Sequence, residues 1–131
     1  MHVAGASHVS FSVADLERSV AWYEAVFEAE VMMREPPRDG RSAAVLTLPK
    51  TTLMVGLVEF ARGAGETFDP TRTGLDHFAY AVDSKGALDR WVEHLDRHDI
   101  EHSGAIDVPP GAILNFKDPD GIALALFWRR G

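Results

Sequence analysis

His8-Val9-Ser10-Phe11-Ser12-Val13 returns 69 residues later as His77-Phe78-Ala79-Tyr80-Ala81-Val82. The match continues past these stretches at the same offset. Trp22 falls on Trp91, Glu24 on Glu93 and Val26 on Leu95. A fixed internal period marks one structural unit used twice. A histidine opens each copy, so internal pseudo-symmetry is expected to bring His8 and His77 face to face.

Working outward, alternation predicts a strand over 6–13, with Val9, Phe11 and Val13 on one face and His8, Ser10 and Ser12 on the other. Asp15 reads as a helix N-cap. Leu16, Val20, Tyr23 and Phe27 recur at helical spacing, and the helix is expected to stop near Phe27 or Glu28. Strands are predicted at 29–34, 42–48 and 52–58. Pro36-Pro37 is read as a loop that cannot continue a ladder. The second copy predicts a strand at 75–82, a helix at 84–98 with Leu88, Trp91, Val92 and Leu95 buried, and strands at 101–106, 112–116 and 122–128. Val108-Pro109-Pro110-Gly111 reads as a loop. Asp118-Pro119-Asp120-Gly121 is a turn: Asp118 bonds its own backbone, Pro119 presets φ, and Gly121 takes a position other residues resist.

Each copy is therefore β-α-β-β-β, with module 1 at 6–60, a Gly-, Thr-, Arg- and Pro-rich linker at 61–73 and module 2 at 74–128. The whole of 1–131 is one domain. The predicted fold is α+β: two pseudo-symmetric modules pair their bare sheet faces around an open, eight-stranded, barrel-like cavity.

Composition narrows the function. The 131 residues suffice for a core, and no cysteine offers a disulfide or a thiolate metal ligand. The formal net charge is −7, with no basic stripe for nucleic acid. No apolar run reaches membrane-spanning length and the N-terminus carries no signal-peptide pattern. A cytoplasmic protein is expected. The acidic residues between Asp83 and Asp107 read as a solvated helix face and loop, or as a field for a cationic ligand.

His8 heading the first strand, Asp15-Leu16-Glu17-Arg18-Ser19 leading to Trp22-Tyr23, Asp76-His77 heading the second copy, and Asp118-Pro119-Asp120-Gly121 before the last strand resemble the vicinal oxygen chelate superfamily. That superfamily includes glyoxalase I, extradiol dioxygenases, fosfomycin-resistance thiol transferases and bleomycin-resistance proteins. The resemblance covers essentially the whole chain and implies a homodimer. It also implies a divalent cation held by a His or Gln from each first strand and a Glu from each last strand.

His8 and His77 match the first pair. The glutamate positions fall on Gly56 and Ala125, so the acidic pair is missing. Two imidazoles alone make a poor metal site, because catalytic zinc usually takes three protein ligands and non-haem iron adds a carboxylate to two histidines. Glu59, Glu101 or Asp107 would have to swing in to complete it. The site is therefore read as a metal-independent small-molecule cavity lined by His8, Ser10, Met54, Gly56, His77, Ala79, Asn115, Ala123 and Ala125, with no cofactor. The small side chains leave room and the polar ones orient a ligand.

The alternative is a lyase, isomerase or dioxygenase-type enzyme, with His8 and His77 as acid and base or in an atypical Zn, Fe, Ni or Mn site. A third reading is an accessory domain without chemistry. Bland readings stand beside the sharp ones. His8 and His77 also fit satisfied core histidines. His94 and His98, four apart on one helix, fit surface polarity. Trp22 and Trp91 fit packing, and His2 and His102 carry no signal. Arg34, Arg38 and Arg41 flank the Pro-rich loop and are candidates for gripping a substrate carboxylate.

Overall fold

Alternating burial builds the first element. Phe11 and Val13 are buried while His8, Ser10 and Ser12 are exposed, which makes β1 (His8–Val13) a strand with one covered face. This computed structural model describes residues 1–63 and 65–131. The order continues with α1 (Leu16–Phe27), β2 (Glu30–Arg38), β3 (Arg41–Thr47) and β4 (Met54–Phe60). A single 3-10 turn at Ala61–Gly63 follows, then β5 (Phe78–Ala81), α2 (Lys85–Arg97), β6 (His102–Val108), β7 (Gly111–Lys117) and β8 (Ala123–Arg129). The chain falls into two units, Met1–Glu66 and Thr67–Gly131. The fold is α+β and modular: the strands form two four-stranded sheets, ordered β1-β4-β3-β2 and β5-β8-β7-β6. Each sheet has one parallel pair, β1 with β4 and β5 with β8, among antiparallel neighbours. Among the described residues no helix is long and apolar enough to cross a membrane.

In the first unit the Asp15 carboxylate accepts the Arg18 N–H at 3.0 Å and starts α1, as expected of an N-cap. Glu28 ends the helix in the left-handed region at φ 54°, and the Ala29 N–H closes back onto the Tyr23 carbonyl at 3.3 Å. Leu16, Val20, Tyr23 and Phe27 are all buried, as their spacing predicts. The helix packs on β3 and β4, against Leu46, Val55 and Leu57. Each such buried side chain contributes roughly 1.5–3 kcal/mol over its exposed state.

The second unit repeats the plan. Ser84 caps α2 by accepting the Ala87 N–H at 3.1 Å. Leu88 and Leu95 are buried, whereas Trp91 and Val92 are half-buried at the edge of the stripe. The helix packs on β6, β7 and β8, which supply Leu114, Phe116, Leu124 and Leu126. The turn before β8 forms as read. Asp118 Oδ1 accepts the N–H groups of Asp120 and Ile122 at 2.9 and 2.8 Å, and Gly121 sits at φ 77°. Phe68, in the predicted linker, donates its N–H to the Asp120 carbonyl at 3.1 Å.

Two expectations are corrected. Pro36-Pro37 does not end a strand: β2 runs through it to Arg38, with a register shift between Glu35 and Arg38. β2 is the outer strand of its sheet, where an absent N–H costs no ladder bond, and a bulge absorbs the rest. Val108 and Gly111 are likewise strand residues, paired with each other across a turn at Pro109-Pro110.

Candidate ligand-binding faces

In each sheet the helix covers one face, and the predicted site residues lie on the other. On the first sheet, Ser10 pairs with Gly56, Gly56 with Val45, and Val45 with Met33. One step along, His8 pairs with Met54 and Met54 with Thr47. The predicted residues His8, Ser10, Met54 and Gly56 therefore share one face, where strand alternation places them.

On the second sheet, Ala79 pairs with Ala125 and Ala125 with Asn115. Ala123 pairs with Lys117, and His77 immediately precedes β5 in line with Ala123. His77, Ala79, Asn115, Ala123 and Ala125 thus also share a face. Lys117, which the sequence reading passed over, belongs with them. Its signal was available: Lys117 alternates with Asn115 directly before the Asp118 turn.

The histidines are held in matching ways. His8 Nδ1 lies 3.1 Å from Ser7 Oγ, and His77 Nδ1 lies 2.8 Å from Asp76 Oδ1. Ser7 and Asp76 are themselves related by the 69-residue offset. With Nδ1–H donating to Asp76, the His77 lone pair sits on Nε2, free for a ligand or a proton. Both imidazoles are exposed, so the reading of satisfied core histidines fails.

The two positions where the resemblance implies carboxylates, Gly56 and Ala125, have different surroundings. A Cβ built on Gly56 would overlap Ser10 Oγ and come within 3.1 Å of Ser10 Cβ, so Ser10 already occupies the side-chain space there. Ala125 is 0% exposed. Two of the three substitutes for those carboxylates are engaged elsewhere. Glu59 Oε1 accepts the Leu16 N–H at 2.8 Å, acting as a second cap on α1. Asp107 pairs with Lys85 Nζ at 2.8 Å, and that hydrogen bond, then the Lys85 charge, lowers the Asp107 carboxyl below its ordinary value. Glu101 is exposed, just before β6. Among the described residues no three His, Asp or Glu side chains gather as a metal's ligands would. The residues present do not fit the cation that the fold resemblance implies.

The arginines separate. Arg34 pairs with Ala44 on the helix side of the sheet and grips Glu17 of α1 through both guanidinium nitrogens, at 2.5 and 3.1 Å. Arg41 lies on the face of Gly56 but is paired with Glu35. Of the three, only Arg38 makes no ion pair among the described residues, so they do not act together on one carboxylate. Trp22 packs edge-on to Tyr23 at 5.1 Å, in line with a packing role. His94 is half-buried against Trp91, while His98 is exposed. His102 does carry a structural role. Its Nε2 meets Asp96 at 2.7 Å and its Nδ1 accepts the Gly104 N–H at 2.9 Å, tying β6 to α2.

Residues 5–126 match the family model described as the Glyoxalase/Bleomycin resistance protein/Dioxygenase superfamily. The crystal structure of a glyoxylase/bleomycin resistance protein/dioxygenase domain from Frankia sp. EAN1pec is 36% identical. It superposes with a TM-score of 0.91 over 98% of this chain and 100% of that one. Lactoylglutathione lyase GLX1 of Arabidopsis thaliana is 29% identical over 93% of this chain, which spans only 43% of that protein. Metallothiol transferase FosB of Staphylococcus epidermidis is 21% identical over 96% of this chain and 82% of its own length. The fosfomycin resistance protein FosX of Listeria monocytogenes, solved with Mn(II), shares the fold at 19% identity and a TM-score of 0.69, over 95% of this chain and 90% of that one.

Proposed function

The chain belongs to the glyoxalase/bleomycin resistance protein/dioxygenase superfamily, and from that premise we propose that it binds a small organic molecule without a divalent metal. The candidate contacts are His8, Ser10, Met54 and Gly56 on the face of the first sheet, and His77, Ala79, Asn115, Ala123 and Ala125 on the face of the second. One observation carries the reading: the space a glutamate would need at Gly56 is taken by Ser10, whose hydroxyl leans over the glycine. The floors are small and largely apolar, with few polar groups, the usual make-up of an organic-ligand site. A cytoplasmic homodimer is part of the same reading. The pairing of two copies is supported by the outer strand β2, where Met32 and Met33 are about half exposed.

The test is a thermal-shift screen of small organic molecules with and without a chelator. Ligand binding to the folded state raises Tm by mass action. A shift unchanged by chelator supports the proposal, and a shift that chelator abolishes contradicts it.

A second reading is favoured by the histidine geometry: an acid–base enzyme in which each Nδ1 is held and each Nε2 is free. It predicts turnover in the lactoylglutathione lyase assay for which the plant relative is named, with a drop of at least about a hundredfold on His8→Ala or His77→Ala. Absence of turnover in the wild-type protein removes that reading for this reaction.

A further inference from the structure

The exposed face of the second sheet is graded. Its first row, at the start of β5 and β8, is His77, Ala123 and Lys117, with the exposed Glu101 just before β6 in line with Lys117. Its second row is Ala79, Ala125 and Asn115. Its third row is Ala81, Phe127, Ile113 and Ile106, paired in that order and wholly apolar. Polarity therefore falls along the strands, from a charged and hydrogen-bonding end to an apolar one.

Lys117 is exposed and, among the described residues, makes no ion pair. Its neighbours in β7, Phe116 and Leu114, are buried on the helix side, so alternation turns Lys117 and Asn115 outward. Lys117 and His77 lie about 10 Å apart across two strand spacings, which leaves the Lys117 ammonium clear of the His77–Asp76 pair. Ala123, between them, offers no bulk.

We propose that this corner is an anion subsite, in which Lys117 Nζ and the Asn115 amide hold the carboxylate of an apolar acid whose body lies toward Phe127 and Ile113. The assignment rests on the reading of this face as ligand-binding. Three features fix the class of ligand. One ammonium and one amide match a monoanion, since an N–H donor set on a carboxylate forms charge-assisted bonds. The chain's net charge of −7 opposes a polyanion such as a phosphate ester. The third row, with Ile106 42% exposed, rewards an aromatic or branched apolar body.

The first unit has no such corner. Val45 and Thr47 hold the positions against Gly56 and Met54 that Asn115 and Lys117 hold against Ala125 and Ala123.

The experiment is a ¹H–¹⁵N NMR titration of the full chain with 4-phenylbutyrate, with its uncharged amide 4-phenylbutyramide, and with inorganic phosphate. The expected result is movement of the His77, Ala79, Asn115, Lys117 and Ala125 amides with the acid. Affinity should be at least tenfold weaker for the amide and at least tenfold weaker for the acid in Lys117→Met, and phosphate should leave these amides unmoved. Acid and amide binding equally on this face, or Lys117→Met binding the acid as the wild type does, overturns the anion subsite while leaving a ligand-binding face intact. Phosphate matching the acid overturns the apolar-acid assignment. No movement of these amides with acid or amide overturns both the subsite and the reading beneath it. Lys117→Arg, which keeps the charge, is expected to retain most of the affinity, and a ¹H–¹⁵N spectrum of Lys117→Met that matches the wild type away from this face shows that its loss is not a folding failure.

Discussion

The two units share a frame and differ in what it carries. Asp15 and Ser84 cap equivalent helices, Ser7 and Asp76 hold equivalent histidines, and the strand orders correspond one for one. Those positions are constrained by capping, burial and pairing, which any sequence on this frame must satisfy. The faces away from the helices escape that constraint and have diverged. Where the first unit sets Val45, Thr47 and Met54, the second sets Asn115, Lys117 and Ala123. The scaffold repeats, and the two units differ in the side chains it carries.

The largest contrast is at the turn before the last strand of each unit. Asp118 accepts two buried backbone N–H groups, whereas its counterpart by offset is Pro49, which bonds none. Asp118→Ala should cost about 3 kcal/mol, because charge-assisted bonds are lost and buried donors are stranded. Pro49→Ala should stay within about 1 kcal/mol. Urea unfolding of both variants measures the difference, and equal costs would break the contrast.

The helix starts come next. α1 has two caps, Asp15 and Glu59, and α2 has Ser84 with an exposed Lys85–Asp107 pair beside it. Asp15→Ala with Glu59→Ala should cost about 2 kcal/mol and Ser84→Ala about 1 kcal/mol. The same denaturation series checks this, and a Ser84→Ala cost matching the double variant would show that Glu59 adds nothing.

Gly56 gives a sharper comparison. Gly56→Ala should cost about 1 kcal/mol through overpacking against Ser10. Ser10→Ala with Gly56→Ala recreates the Ala79–Ala125 pair that the second unit already accommodates, so the double variant should recover most of that loss. A double-mutant cycle with no coupling energy would contradict the account of Ser10 filling that space.

The smallest effect is electrostatic. The Asp107 carboxyl is lowered first by its hydrogen bond to Lys85 and then by the lysine's charge, while Asp69 is lowered first by the Thr71 hydroxyl. A depressed folded value contributes stability that is present above the ordinary carboxyl value and lost as pH falls through the folded one. Lys85→Met should bring Asp107 up toward 3.8 and leave Asp69 in place, as read by NMR titration of the side-chain carboxyls. Movement of both would show a global rather than a local cause.

Much of this was legible in the sequence because it was local or periodic. The 69-residue repeat, the Asp15 cap, the apolar stripe of α1 and the Asp118 turn each declare themselves within a few residues or by period. What escaped depended on distant chain. Pro36-Pro37 is tolerated in β2 because that strand is outermost, a fact of sheet order. Glu59 was a spare ligand on paper but caps a helix 43 residues earlier. Arg34 sat in a promising run, yet alternation turns it to the helix side, where Glu17 holds it. The family's empty carboxylate positions could be read from Gly56 and Ala125, but Ser10 lying over one of them required coordinates.

The central claim is that these imidazole-bearing faces take an organic ligand unaided by a cation. Titrating Mn(II) and Zn(II) into the chelator-stripped protein by calorimetry, alongside His8→Ala and His77→Ala, tests it most directly. The account predicts no stoichiometric binding and no difference between the wild type and either variant. One tight equivalent of metal in the wild type, lost when either histidine is removed, would contradict it.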